Sequence, residues 1–149
     1  MNILLVVDTR NIFNTLQRTH NNGKLDYKSF IETVAGPDHI YTAIAYGCRN
    51  GDKTIGFITL LEKLGFTTKF SGYDAGSPNV QLTIDVVRFV LGGKIDRVIL
   101  ASSDHDLVDL VYWVREQGLP CDVSACRIPK VLKDAASNIT ELNTDLLLK

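Results

Sequence analysis

Three aspartates carry the chemistry that this sequence offers. Asp8 closes the apolar run Asn2 to Val7, Asp104 follows the run Val98-Ile99-Leu100-Ala101 after two serines, and Asp106 lies just beyond it. If both runs are strands of one parallel sheet, Asp8 and Asp104 fall at the same end of it, where ligands of open α/β sheets bind. Two acids at one sheet edge repel unless something neutralises them, so the pair points to a bound cation. Carboxylates with few histidines select hard ions, which favours Mg²⁺ or Mn²⁺ over zinc. Such an ion bridges carboxylates to phosphate oxygens and activates water, so metal-assisted hydrolysis of a phosphodiester is the chemistry expected. Asn11 stands near Asp8, and Asp85 is a further candidate. Simpler readings compete: Asp104 as a helix cap, Asp85 in a surface ion pair with Arg88, and His105 and Asp109 as exposed, incidental residues.

The elements that must position these groups are legible as an alternation. Asn2 to Val7, His39 to Tyr46, Phe66 to Phe70, Asp96 to Ala101 and Cys121 to Ala125 are apolar or β-branched runs that predict strands, the first and fourth buried on both faces. Between them, Ile12-Phe13-Leu16, Tyr27 to Val34, Asp52 to Leu64 and Val80 to Leu91 have helical spacing. So do the segment beyond Asp104 (Leu107, Leu110, Val111, Val114) and the weaker stretch Lys130 to Ala136. Ser103 or Asp104 is placed to cap the helix that follows them, and Gly65 to end the one before it in the third strand's approach. Along Val80 to Leu91, Gln81, Asp85 and Arg88 share a narrow polar arc, with Asn79 and Thr83 on another side. Ser71 to Pro78 reads as a mobile loop over the sheet end. A short apolar segment near Ile139 to Leu142 completes the pattern, which predicts a three-layer α/β/α sandwich with a mainly parallel central sheet.

At 149 residues, 45% hydrophobic and 22% charged, the chain is expected to be one domain, residues 1–149, with a sizeable core. A formal net charge of −1 offers no global attraction to nucleic acid, so such binding needs a local basic patch. The odd cysteine count (Cys48, Cys121, Cys126) reads as incidental thiols in a reducing compartment, and no apolar stretch is long enough for a bilayer. A cytoplasmic protein is expected. Other folds with an aspartate after the first strand do not fit. A phosphoacceptor receiver domain would need an acid, an aspartate and a lysine near positions where Thr9, Ser71 and Ala125 stand, and a haloacid-dehalogenase-like phosphatase an aspartate at Arg10. Nucleotide-binding glycine fingerprints are absent.

In this arrangement the chain resembles the NYN domain of the PIN-like ribonuclease superfamily, in particular its LabA-like branch. Asp8-Thr9-Arg10-Asn11 is similar to that family's Asp-x-x-Asn opening, and Ser102-Ser103-Asp104-His105-Asp106 to its Ser-Gly-Asp-x-Asp block. Asn79-Val80-Gln81-Leu82-Thr83-Ile84-Asp85 matches, in frame, its Val-Asp-Val-x-Leu-x-x-Asp helix. The resemblance spans nearly the whole chain. It departs at Asn79, where the family usually has an acid, at Gly76, where a lysine is common, and at Ser103, which replaces a glycine.

The resemblance implies a PIN-like fold and RNA cleavage at an Mg²⁺ or Mn²⁺ centre. Carried over by position, it makes Asp8, Asp104 and Asp106 the metal-binding acids, Asp85 a further catalytic member, and Asn11 and Ser102 supporting groups. Asn79 in place of an acid removes one charge, though its amide can still accept a hydrogen bond from a cation's water. Arg10, Arg49, Arg127 and Lys130 lie in segments expected at the carboxyl end of the sheet and could hold phosphates, and Tyr73 could stack on a base. Two other functions fit the same residues: a non-catalytic RNA-binding or partner-regulating module, and a small-molecule phosphohydrolase. A homodimer is compatible with a small α/β domain, but no apolar stripe marks an interface.

Overall fold

The computed structural model describes residues 1–21, 23–49, 51–72 and 76–148. Among the described residues six strands, β1 (Asn2–Asp8), β2 (His39–Cys48), β3 (Phe66–Ser71), β4 (Arg97–Ala101), β5 (Cys121–Ala125) and β6 (Ile139–Glu141), form one sheet in the order β3-β2-β1-β4-β5-β6. Every neighbouring pair is parallel. Ile3 to Val7 of the central β1 are wholly buried, as a strand covered on both faces requires. Each such side chain contributes on the order of 1.5–3 kcal/mol through removal from water.

Two cores flank the sheet. On one face, Leu4, Val6, Ile44 and Leu100 pack against α4 (Asn79–Leu91), α5 (Val108–Glu116) and α6 (Lys130–Ala135). On the other, Ile3, Leu5, Val7 and Ile99 pack against α1 (Thr9–Thr19), α2 (Tyr27–Ala35) and α3 (Asp52–Lys63). The expected three-layer sandwich is what forms, and its sheet is parallel throughout. Gly65 follows α3 with φ +99°, a left-handed conformation that glycine adopts without a Cβ penalty, and its N–H reaches the Glu62 carbonyl at 3.0 Å.

Three local differences from the sequence reading matter for the site. The segment after Asp104 opens with a 3-10 turn, His105–Leu107, and becomes α-helical only at Val108. The preceding helix starts at Asn79 rather than Val80. The segment near Ile139 is a sixth strand, short and at the sheet edge. Strand order also sets the site's location. The chain steps outward from β1 to β2 and β3, then returns to lay β4, β5 and β6 on β1's other side. That reversal, between β1 and β4, is the topological switch point at which open α/β sheets bind ligands. Among the described residues no helix is long and apolar enough to cross a membrane.

Candidate active site

Asp8 and Asp104 flank the switch point, and each is held by the backbone that follows it. Asp8 ends β1 and caps α1, accepting from the Asn11 N–H at 3.1 Å. Asp104 caps the 3-10 turn, its Oδ1 accepting from the Asp106 N–H at 2.9 Å, while its own N–H donates to Ser102 Oγ at 3.1 Å. The capping reading of Asp104 is therefore correct as far as it goes, and Asp8 caps a helix as well. Capping uses part of each carboxylate, and a carboxylate has lone pairs to spare.

Asn11 ties the two halves together. Its Oδ1 accepts from the Ser103 N–H at 3.0 Å and from Ser103 Oγ at 3.1 Å, so the β1 and β4 loops are fastened side by side. Serine in place of glycine at 103 adds the second of these bonds. Asn79, at the first turn of α4, donates from Nδ2 to Asp104 Oδ2 at 2.8 Å. Its other amide atom, Oδ1, is buried and has no hydrogen-bond partner. A buried acceptor left unmade costs free energy, so an orphaned oxygen on the amide that meets Asp104 is where a cation or its water would sit.

The electrostatics agree. Burial holds the Asp8 carboxyl above its usual range, and the negative charge of Asp104 pushes it further, against the Asn11 and Arg10 N–H groups that favour the ionised form. Oxygen donors under mutual repulsion fit a hard divalent ion. Asp106 is less central than the motif suggests. Its side chain is 72% exposed and turns to His105, with Oδ1 3.3 Å from Nε2. Asp104, His105 and Asp106 bring ligand atoms within 4.8 Å of one another; among the described residues Asp8 joins no such group of three. His105 is exposed, as expected, yet it stands within that cluster.

Asp85 has a different setting from the surface pair with Arg88. Registers Asp8↔Tyr46 and Tyr46↔Lys69 align these residues across β1, β2 and β3. Two-residue alternation turns them to the α4 face, where Leu4, Val6 and Ile44 also point. There the Asp85 Oδ2 accepts from Tyr46 OH at 2.7 Å and from Lys69 Nζ at 2.8 Å, with its side chain 9% exposed. Its cation is Lys69. Burial, then the Asp85 contact, pushes the Tyr46 phenol far above its ordinary value and keeps it a donor. Neither Tyr46 nor Lys69 stood out in the sequence, since Lys69 sits in an ordinary strand alternation and only the register aligns it with Tyr46.

A cleft of about 500 Å³ opens beside Asp8, lined among others by Arg10, Lys69, Gly76, Asp85 and Arg88. Gly47, also in its lining, fits because a Cβ there would lie 2.5 Å from the Phe70 ring and 2.7 Å from Thr9 Oγ1. The remaining substrate candidates are dispersed. Arg10 also donates to Cys48 Sγ at 3.8 Å, Arg49 lines a second groove along α3, and Arg127 and Lys130 follow β5 on the far side of β4. Lys130 pairs with Asp134 at 2.7 Å. Tyr73 lies outside the described residues. None of the three cysteines is in a disulfide, and burial pushes Cys121 up to about 12, so that thiol is unreactive.

A crystal structure of a protein of unknown function from Vibrio parahaemolyticus superposes with a TM-score of 0.89 at 25% identity, covering 99% of this chain and 96% of that one. No curated protein matches the chain. The profile of the NYN domain matches residues 2–143, a span that takes in the Asp8 opening, the Asn79 helix and the Ser102 to Asp106 block. The chain therefore belongs to the NYN domain family of the PIN-like nuclease superfamily.

Proposed function

We propose that this chain is an endoribonuclease of the LabA-like NYN branch, acting in the cytoplasm with Mg²⁺ or Mn²⁺. The observation that supports it best is the buried, unpartnered Oδ1 of Asn79, whose amide donates to Asp104, together with an Asp8 carboxyl raised by burial and by the charge of Asp104. Asp8, Asp104 and Asn79 would hold the cation, with Asp106 reaching it from the rim. When bound, that cation offsets phosphate charge and lowers the pKa of water. The chain's own groups do the rest. Asn11 and Ser102 hold the Asp104 loop in register with Asp8, and Arg10 draws the RNA phosphate toward the centre.

The test is cleavage of end-labelled single-stranded and hairpin RNA with Mn²⁺, with Mg²⁺ and with EDTA, beside Asp104→Asn. Metal-dependent cutting by the parent and none by the variant is the expected result; equal activity removes the proposal. Release of phosphate from mononucleotides alone would instead identify a small-molecule phosphohydrolase. One observation favours a non-catalytic RNA-binding module: Asn79 is neutral and Lys69 offsets Asp85, so two of the family's acidic positions contribute no net charge. RNA binding that persists in EDTA, without cleavage under either ion, would establish that reading.

A further inference from the structure

We infer that the cleft beside Asp8 is a nucleotide-phosphate subsite built on Lys69, and that Asp85 serves it as the lysine's positioning counter-ion instead of holding metal. The inference rests on the nucleic-acid reading above. Its ground is the distribution of charge. Among the cleft's lining residues, Arg10, Lys69 and Arg88 are cationic and Asp8 and Asp85 anionic, so the lining is net positive in a chain whose formal charge is −1. Gly76, which carries no side chain, lines the same cleft as Lys69. Lys69, on β3, supplies a cation to that space.

The geometry of Lys69 suits it to bind an anion. An ammonium has three donors; one goes to Asp85 Oδ2 at 2.8 Å, and the side chain keeps 33% of its surface exposed. Asp85 is the more deeply buried partner and is also fixed by Tyr46 OH. A carboxylate held from two sides fixes the direction of the ammonium, which lowers the cost of ordering a flexible lysine around a ligand. Both donors converge on Oδ2, and the lysine offsets the charge that a divalent ion would need. Val80 and Ile84 supply an exposed apolar lip to the cleft, suited to the face of a base.

The experiment measures binding of fluorescein-labelled single-stranded RNA in EDTA between 50 and 200 mM salt, for the parent, Lys69→Gln and Lys69→Arg. Each phosphate contact on a single strand contributes about 0.7 to the slope of log affinity against log salt. Lys69→Gln should lower the slope by that amount, losing roughly 2.6-fold less affinity across the range than the parent. Lys69→Arg should restore it. Arg88→Gln, exposed on α4, should lower the slope likewise and keeps the test valid if Lys69→Gln does not fold. Competition by adenosine 5′-monophosphate assigns the subsite to a terminal phosphate, and its failure to compete assigns it to the backbone diester. Asp85→Asn should leave Mn²⁺ affinity, measured calorimetrically, within about twofold of the parent, whereas loss of even a supporting group at a metal commonly costs about tenfold or more.

Unchanged slopes in the glutamine variants, a parent that binds neither RNA nor the mononucleotide, or a loss of about tenfold in Mn²⁺ affinity in Asp85→Asn would each overturn the inference. Cleavage with unchanged slopes would remove the subsite and leave the nuclease. Altered slopes without cleavage would do the reverse.

Discussion

Replacing Asn79 by aspartate should destabilise the metal-free protein and make it depend on a divalent cation. The amide now donates to Asp104 Oδ2 at 2.8 Å, and a carboxylate in its place would set two anionic oxygens face to face. Two unit charges about 4 Å apart repel by about 4 kcal/mol at an effective dielectric near 20. Asp104 is only half-buried, so rotation and solvent screening bring the expected penalty to ~1–2 kcal/mol. For a chain of this size that corresponds to a fall of roughly 2–8 °C in the unfolding midpoint. The assay is thermal unfolding in EDTA and in a Mn²⁺ titration at pH 7. In EDTA the variant should melt below the parent; in Mn²⁺ it should gain more than the parent does, because the ion turns a repulsion into shared coordination. A variant as stable as the parent in EDTA, or one that Mn²⁺ raises no further than the parent, would refute a cation held at Asp104 and residue 79.

Three further outcomes follow from the same geometry. Asp8→Asn should raise the unfolding midpoint in EDTA at pH 7, because a carboxyl whose folded pKa is raised is a liability once ionised. That gain should shrink as pH falls toward 3.8, the ordinary value, below which both forms are neutral, and a pH-independent difference in midpoint would contradict it. Tyr46→Phe should cost about 1–3 kcal/mol in urea unfolding, since it strips the phenol donor from the buried Asp85 and leaves Lys69; no loss would mean Lys69 alone satisfies it. Gly47→Ala should cost about 1–3 kcal/mol, because the added Cβ meets the Phe70 ring and displaces Thr9 from its 2.7 Å bond to the Tyr46 carbonyl; an unchanged midpoint would show that the end of β2 yields freely.

Much of the architecture was readable because it depends on local pattern. Ile3 to Val7 and Val98 to Ala101 are unbroken apolar runs, as strands covered on both faces require; the first ends at Asp8 and the second is followed by two serines and Asp104. The helical spacing of Leu82, Val86 and Val90, or of Leu107, Leu110, Val111 and Val114, marks the sides that do pack on the sheet. The boundary after Asp104 was harder to read, since a capping aspartate serves a 3-10 turn as well as an α-helix. The sequence leaves Asp85 open between the site and a surface pair with Arg88, because a helical wheel records angle and not what lies opposite.

What the sequence by itself determined is that one aspartate ends a buried strand and another follows a second such strand by three residues, and that the chain carries the NYN motifs in order. What only the tertiary structure decided is which groups face those acids. Strand order put Asp8 and Asp104 on either side of the switch point, and register set Asp8, Tyr46 and Lys69 in one row beneath α4. Lys69 lies sixteen residues from Asp85 and Asn79 twenty-five from Asp104, and no local period links positions so far apart. Their partnerships depend on how strands align and how a helix crosses them, which many residues decide together.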